Sequence, residues 1–293
     1  MIYLILSIFS STAIIVLFKV IDRYKLNTFN AIVINYFVAA ALGYILAVKS
    51  PDVTEIVQST WLYMAVIIGV LFIVIFYVIG LTAQKVGLSV TSVAAKMSVI
   101  VPILFSIIYY NELLTFYKLT GILLALLAVS FMVIRKKTAK ETMEKNIAPH
   151  YIVLPLILFI GSGFVDSLIK FSQHEYIRDE NTSIFSAVLF SVAALTGVLI
   201  RVFKRTNAKT LFEPRTLFVG TLLGLSNFGS IYFVINALNH SDLQSYIVLG
   251  LNNVGIVTLS VIIALVIFKE KLTNLNRLGI ALSIAAIFML STY

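Results

Sequence analysis

Cysteine is absent from this chain of 293 residues, which excludes disulfides, thiolate metal sites and a cysteine nucleophile. Charge is also scarce, because Asp, Glu, Lys and Arg make up 12% of the residues while hydrophobic residues make up 60%. Soluble globular domains carry about a quarter charged residues. A soluble globular domain is therefore excluded, and the composition indicates a chain that lies in lipid.

The motifs of familiar enzymes and of ATP-driven pumps are missing. The three histidines, His150, His174 and His240, lie at the ends of apolar runs and form no H-E-x-x-H zinc pattern. Neither a G-x-S-x-G nucleophile motif nor a Gly-rich loop before Lys-Ser/Thr occurs. We expect no enzymatic activity, no metal and no cofactor, and we expect a gradient to supply any energy that the protein uses.

Apolar runs long enough to cross a bilayer as helices fill most of the chain. Unbroken runs favour helices over the short alternating segments of a membrane β-barrel. The first run begins at Met1 without a basic segment before it, so we interpret it as a span and not as a cleaved signal. The predicted fold class is an all-α membrane protein with ten transmembrane helices, over residues 2–19, 30–48, 60–82, 88–110, 116–134, 151–172, 183–203, 216–238, 244–268 and 275–292.

The two halves of the chain repeat. A polar linker over residues 135–149 separates a first half, 1–134, from a second, 150–293. Because each half holds five spans, an odd number, the second half must enter the membrane from the opposite side, which gives two inverted five-helix repeats. The positions that correspond between the halves are Lys19/Lys170, Gly43/Gly197, Gly69/Gly224, Tyr77/Tyr232, Glu112/Glu270, Thr115/Thr273 and Gly121/Gly279.

Several of these features together resemble a known family. The two sets of five spans, the lysine after a serine-containing first span, the proline in span four and the repeated E-x-L-T…G signature resemble the EamA-like part of the drug/metabolite transporter superfamily. The resemblance covers the whole chain. It implies a permease whose central cavity is lined by spans one, three, four, six, eight and nine. The chain has Ser10-Ser11-Thr12 where many members have Trp-Gly.

The net charge of +9 comes from basic residues in the loops between spans. This is typical of membrane topology, so no nucleic-acid partner is expected. Most of the 22 lysines and arginines lie in loops that follow odd-numbered spans. The positive-inside rule therefore places the linker in the cytoplasm and both termini outside, whereas the family resemblance implies cytoplasmic termini.

Lys96 is the first candidate site residue, because a charged side chain near the middle of a bilayer costs at least ~2.5–3.5 kcal/mol. Ser89 and Ser92 share its helix face through i, i+3, i+7 spacing. The functional hypothesis is a fixed cation, with two hydroxyls beside it, that attracts a carboxylate or phosphate on the cargo. The alternative is that Lys96 reaches toward the interface or pairs with an acid structurally.

Asp166 is the only carboxylate deep within a predicted span and is the candidate for proton coupling. Lys170 follows it at the i, i+4 spacing, so a self-neutralised pair is the structural alternative. Lys96 and Asp166 lie at different depths, ~12 Å and ~20 Å from the same face at 1.5 Å per residue. Direct contact between them would need a tilt or a bridging water.

Amides and aromatic rings in spans three, eight and nine are further candidate cargo contacts. Such residues also bond helices to one another, usually for under ~1–2 kcal/mol, so a packing role is the alternative. These candidates are Asn227, Asn252, Asn253, Tyr77 and Tyr232.

Pro102 is expected to bend span four and is a gating candidate, with a static kink as the alternative. Glu112 and Glu270 end spans four and nine, and Thr115 and Thr273 are placed to cap the helices that follow. We interpret these segments as one tight capped turn that occurs twice.

Taken together, the sequence predicts a secondary transporter of a small metabolite, an amino acid or an organic anion-like solute. It would work by alternating access in the cytoplasmic (inner) membrane of a bacterium, with protons as a possible coupling ion. The alternatives are a lipid-handling protein or flippase acting on a phosphate-bearing headgroup, and a channel or structural membrane protein. Cargo, direction and oligomeric state are left open.

Overall fold

The computed structural model describes residues 1–46, 53–133, 153–176, 182–204, 211–240, 243 and 245–291, and these residues form helices and no strand. The predicted linker over 135–149 lies outside the described residues, so the division into two halves stays a prediction. The helices are α1 (Ile2–Arg23), α2 (Thr28–Ile45), α3 (Val53–Gln58), α4 (Leu62–Lys85), α5 (Leu88–Met97), α6 (Ile100–Tyr109), α7 (Phe116–Val133), α8 (Leu154–Glu175), α9 (Thr182–Phe203), α10 (Pro214–Asn239), α11 (Ser245–Val266) and α12 (Asn274–Leu290).

Within the described ranges, nine helical segments are long and apolar enough to cross a membrane, and α5 and α6 together make one of them. The α12 helix, with 17 residues, is slightly shorter. Each predicted span corresponds to one of these segments, with ends that agree to within a few residues. The all-helical membrane fold class is thereby confirmed. The short α3, of six residues, was not predicted.

The turns that follow α6 and α11 have the same backbone geometry. Asn111 and Lys269 both adopt the left-handed conformation, with φ of 53° and 51°. Four residues later, the hydroxyls of Thr115 and Thr273 accept the backbone N–H three positions on, at 3.3 and 3.2 Å. The two capped turns expected from the sequence are therefore present.

Five helices pack in a ring in the order α1, α4, α8, α5 and α11, and α10 packs against α1. Outside this ring, α2 packs against α9 and α10, α9 packs against α4, and α7 packs along α12. One apolar cluster joins α1, α2, α4, α9 and α10, and a second joins α5, α7, α11 and α12. The apolar clusters hold the ring in place from outside.

The bundle has two ends, which we name after the two glutamates. At the Glu270 end, the C-terminal ends of α1 and α4 meet the N-terminal end of α5. At the Glu112 end, the C-terminal ends of α6 and α8 meet.

Candidate functional site

Span four is interrupted at Ser98 and Val99, between α5 and α6. Pro102 has no N–H to donate to the Ser98 carbonyl four residues earlier, and that carbonyl instead accepts the Val101 N–H at 2.9 Å. Gly163 on α8 packs against the same carbonyl, because a Cβ there would lie 2.7 Å from it. The expected break near Pro102 is present, and its role in gating stays a prediction.

Lys96 lies one turn before this break and close to the middle of the membrane span. It is ~12 Å along α5 from the Glu270 end at 1.5 Å per residue, and its side chain is half-buried. Val93 and Met97 on the neighbouring face are fully buried against α7, α11 and α12. Within the described part of the chain, the Lys96 ammonium makes no hydrogen bond or close ion pair. Among the residues that the structure describes, no fixed partner therefore holds this charge in the span.

Asp166 faces the interior of the ring. Residues two positions apart on a helix project about 160° from each other, and Phe164, on the opposite side of α8, is an exposed apolar side chain suited to lipid. A carboxylate cannot share that lipid-facing side without a large cost. Asp166 itself is exposed, and its carboxylate makes no hydrogen bond or close ion pair to any residue that the structure describes.

Lys96 on α5 and Asp166 on α8 lie on neighbouring helices of the ring, and their opposite charges attract each other. They do not form a direct ion pair, as their different depths led us to expect. An ammonium and a carboxylate, each lacking a hydrogen-bond partner among the described residues, therefore face one interior space. Such an arrangement needs water or a polar ligand to solvate both groups.

Lys170 does not neutralise Asp166, although the i, i+4 spacing allowed it. Its ammonium donates to the hydroxyl of Ser106 and lies 3.4 Å from a carboxylate oxygen of Glu112. It also lies 5.9 Å from the centre of the Tyr110 ring. The self-neutralised pair on α8 is absent from the described contacts, because Lys170 turns toward the Glu112 end.

Ser89 and Ser92 lie on the same side of α5 as Lys96, but their hydroxyls are already engaged. The Ser89 hydroxyl donates to a carboxylate oxygen of Glu270 at 3.3 Å, and the Ser92 hydroxyl donates to the Ser89 carbonyl at 3.0 Å. Both side chains are fully buried. The structure therefore places Ser89 in a contact between the two halves, a pairing that helix periodicity cannot reveal.

The three candidate amides occupy different surroundings. Asn252 on α11 is buried, and its Oδ1 has no hydrogen-bond partner in the part of the chain that the structure describes, whereas Asn253 is half-buried. Asn227 on α10 is buried beside the amide of Asn35 on α2. Asn227 therefore faces a helix contact outside the ring, while Asn252 retains an unused acceptor.

Three hydroxyls that the sequence analysis did not single out share this property with Asn252, and one of them, Tyr110, lies at the end of α6. The buried oxygens of Thr12 on α1 and Ser260 on α11 also lack partners within the described ranges. These helices pack against each other and form part of the ring. A search for hydroxyls inside apolar spans would have found both, although it would also have found many hydroxyls that bond their own backbone.

The candidate tyrosines lie apart from the two charges. Tyr77 packs edge-to-face against Phe29, with ring centres 6.1 Å apart, and Tyr232 stacks on Phe228, with centres 5.8 Å apart. Both tyrosines remain partly exposed. The structure brings neither of them into a hydrogen bond with Lys96 or Asp166 among the described contacts.

Comparison with known proteins gives information about the fold of this chain but not about its activity. No family model matches the chain. A protein of Haemophilus influenzae (strain Rd) that is described only as uncharacterized is 28% identical over 295 residues, covering 98% of this chain and 96% of that protein. A solved structure described only as the crystal structure of a protein is similar over 98% of this chain and 94% of that chain, with a TM-score of 0.60 and 15% identity.

The fold and composition define a multi-pass integral membrane protein. The similarity to the solved structure extends over nearly the whole length of both chains, so the two share a fold. Within the bundle, Lys96 and Asp166 are the charged groups that packing leaves unexplained.

Proposed function

We propose that this protein is a secondary transporter that moves a small metabolite across the cytoplasmic membrane by alternating access, driven by a gradient. The observation that carries the proposal is the pair Lys96 and Asp166, opposite charges that face the ring interior without fixed partners in the described chain. Ionisable groups inside membrane spans are costly and mark substrate or ion pathways. The presence of two ionisable groups at one interior space therefore favours a transport site over a structural role.

The chemistry of the pair indicates the type of cargo. The Lys96 ammonium suits a carboxylate or another anionic group, and the unused Asn252 oxygen offers a hydrogen-bond acceptor on a helix of the same ring. Asp166 suits either a cationic group of the cargo or a coupling proton. An amino acid or an organic anion-like solute fits this set of groups.

The proposal includes an inverted repeat, and close helix approaches on the two sides of the bundle support it. A Cβ added to Gly69 on α4 would lie 2.7 Å from the Val192 Cβ on α9, and one added to Gly224 on α10 would lie 2.6 Å from the Val38 Cβ on α2. Exchanging the two halves converts one contact into the other, because Gly69 corresponds to Gly224 and α9 corresponds to α2. Two copies of one fold produce such pairs.

The contact between α2 and α9 is also related to itself by exchange of the two halves. Gly43 on α2 lies against Ala187, with a hypothetical Cβ 3.0 Å from the Ala187 Cβ, and Gly197 on α9 lies against Val33 at 2.6 Å. Ala187 follows Val33 in the chain by the same number of residues as Gly197 follows Gly43. The contact is therefore nearly unchanged when the halves are exchanged, which also supports the inverted repeat.

Transport in proteoliposomes tests this function. Purified protein is reconstituted and assayed with a panel of labelled amino acids and organic anions, with and without a pH gradient. We expect uptake of at least one solute by the wild type and its loss in Lys96→Ala, with part of the rate retained in Lys96→Arg, which keeps a cation. Lys204→Ala is the matched control, because Lys204 is exposed just beyond α9.

Two results contradict the proposal. Normal rates for folded Lys96→Ala and Lys96→Arg would remove Lys96 from the pathway. Movement of labelled phospholipid between leaflets, without solute transport, would instead favour the lipid-handling alternative.

A further inference from the structure

A contact network lies at the Glu270 end, and we call it the Glu270 gate. It consists of Lys19, Glu270 and the backbone of α4 and α5. The Lys19 ammonium donates to the carbonyls of Ala83 and Gln84 at 3.2 and 3.4 Å. These are C-terminal carbonyls of α4, where the helix dipole is negative. Lys19 also lies 4.0 Å from a carboxylate oxygen of Glu270.

Glu270 completes the network by capping α5 from the other half of the chain. Its carboxylate accepts the Leu88 N–H at 2.7 Å, and the Ser89 N–H at 3.4 Å. These are the first N–H groups of α5, where the helix dipole is positive. The gate is thus a series of alternating charges: α4 carbonyls, Lys19 ammonium, Glu270 carboxylate and α5 N–H groups.

Gly87 allows the carboxylate to approach. Its φ of +133° is suited to glycine, and a Cβ at this position would lie 3.0 Å from both carboxylate oxygens of Glu270. The turn that carries Glu270 has the same left-handed geometry as the turn that carries Glu112. The backbone therefore presents both glutamates in the same way, each toward the opposite half of the chain.

The corresponding residues at the Glu112 end, Lys170 and Glu112, form what we call the Glu112 gate, and they are arranged differently. They pair at 3.4 Å, and Glu112 also pairs with Lys118 at 3.2 Å. Neither residue bonds α10 or α11 within the described ranges. Their side chains are 45% and 40% exposed, against 22% and 15% for Lys19 and Glu270.

We propose that the two networks are copies of one gate, with the Glu270 gate closed and the Glu112 gate open in this structure. The proposal rests on the transport function proposed above. When the protein changes access, Glu270 releases the N-terminal end of α5, and Glu112 caps the N-terminal end of α11 while Lys170 moves to the C-terminal carbonyls of α10. The same electrostatic series then closes the opposite end.

The absence of cysteine allows a labelling test in the native background. A single cysteine at Ser92, which is fully buried behind the Glu270 gate, reports opening of that end by its rate of reaction with a water-soluble maleimide. The protein is held in lipid nanodiscs without cargo, so that both ends are accessible to the reagent. A cysteine at Lys204, which is exposed in this structure, gives the reference rate.

The two glutamates should respond in opposite ways to the same substitution. Glu270→Gln should raise the labelling rate of Ser92→Cys about 10-fold, because a charge-assisted hydrogen bond contributes about a factor of ten to a two-state equilibrium. Glu112→Gln should leave that rate unchanged or lower, since Glu112 is needed only to close the other end. Ser89→Ala, which removes one hydroxyl contact to Glu270, should give a smaller increase and provides a milder variant if Glu270→Gln does not fold.

An equal increase in both glutamate variants, or no increase in Glu270→Gln and Ser89→Ala, would overturn the gate assignment. These results are independent of cargo. If the transport assay fails while the labelling rates change as expected, the proposed function is contradicted and the gate assignment is supported. If the protein transports a solute while Glu270→Gln and Ser89→Ala label at the wild-type rate, the gate assignment is contradicted and the proposed function is supported.

Discussion

The electrostatic coupling between Lys96 and Asp166 is a measurable consequence of their placement. Counted from the Glu270 end along α5 and α8, their depths differ by about 6 Å at 1.5 Å per residue. At an effective dielectric constant of about 20, opposite charges about 6–10 Å apart attract by about 2–3 kcal/mol. We therefore expect a coupling energy of about 2 kcal/mol between these side chains.

A double-variant cycle measures this coupling. The free energies of unfolding of the wild type, Lys96→Met, Asp166→Asn and the double variant are compared in the same bicelles by denaturant titration. Each single variant removes one charge from the membrane span and leaves the opposite charge without its attraction. It therefore loses the attraction between the two charges but also removes the cost of placing one charge in the span. The double variant removes both penalties, so it should be at least as stable as the wild type while lacking transport.

The control is the cycle that combines Asp166→Asn with Lys204→Met, because Lys204 lies exposed at the end of α9. Its coupling energy should be near zero, as expected for distant sites. A coupling energy below about 0.5 kcal/mol in the Lys96–Asp166 cycle would refute the reasoning. It would mean that the two charges do not face the same interior space.

Two further predictions follow from packing and from charge. Gly69→Ala and Gly224→Ala should each destabilise the protein by about 1–3 kcal/mol, since a Cβ would lie 2.7 and 2.6 Å from valine Cβ atoms; unfolding free energies that match the wild type in both variants would contradict the close approach. Partial burial acts to raise the pKa of Glu112, but the hydrogen bond from Lys118 and the charge of Lys170 together hold this pKa below its ordinary value. The stabilisation from Glu112 should therefore be fully present at neutral pH and begin to fall as the pH drops into the ordinary titration range of a glutamate. It should be lost completely once the pH has fallen through the lowered pKa. Melting temperatures of the wild type and Glu112→Gln, compared across pH, should converge only at that acidic end, and a constant difference would contradict the pairing.

Much of the fold was predictable because membrane spans are local features. A helix inside a bilayer must satisfy its own backbone hydrogen bonds, so an unbroken apolar run specifies both the helix and its approximate ends. The caps at Thr115 and Thr273 and the break before Pro102 are equally local, since each depends on residues within four positions. The short α3 was missed because it lies in a loop and crosses nothing.

The candidate site was only partly predictable, and Ser89 illustrates why. Helix periodicity correctly placed Ser89 and Lys96 on one side of α5, but it carries no information about which distant segment lies opposite. The hydroxyl of Ser89 meets Glu270, which is far away in the chain. In the same way, the i, i+4 rule identified Lys170 as a neighbour of Asp166, yet a stronger partner, Glu112, was supplied by another helix.

The sequence alone determined that this chain is a membrane-spanning helical bundle, where its helices begin and end, and which charges lie within the spans. Composition and local hydrogen bonding decide these features, and both can be read from neighbouring residues. Only the tertiary structure decided that Glu270 caps α5, that Lys170 turns away from Asp166, and that the two glutamates differ in exposure. These features depend on which distant segments of the chain approach each other, and neighbouring residues carry no information about that.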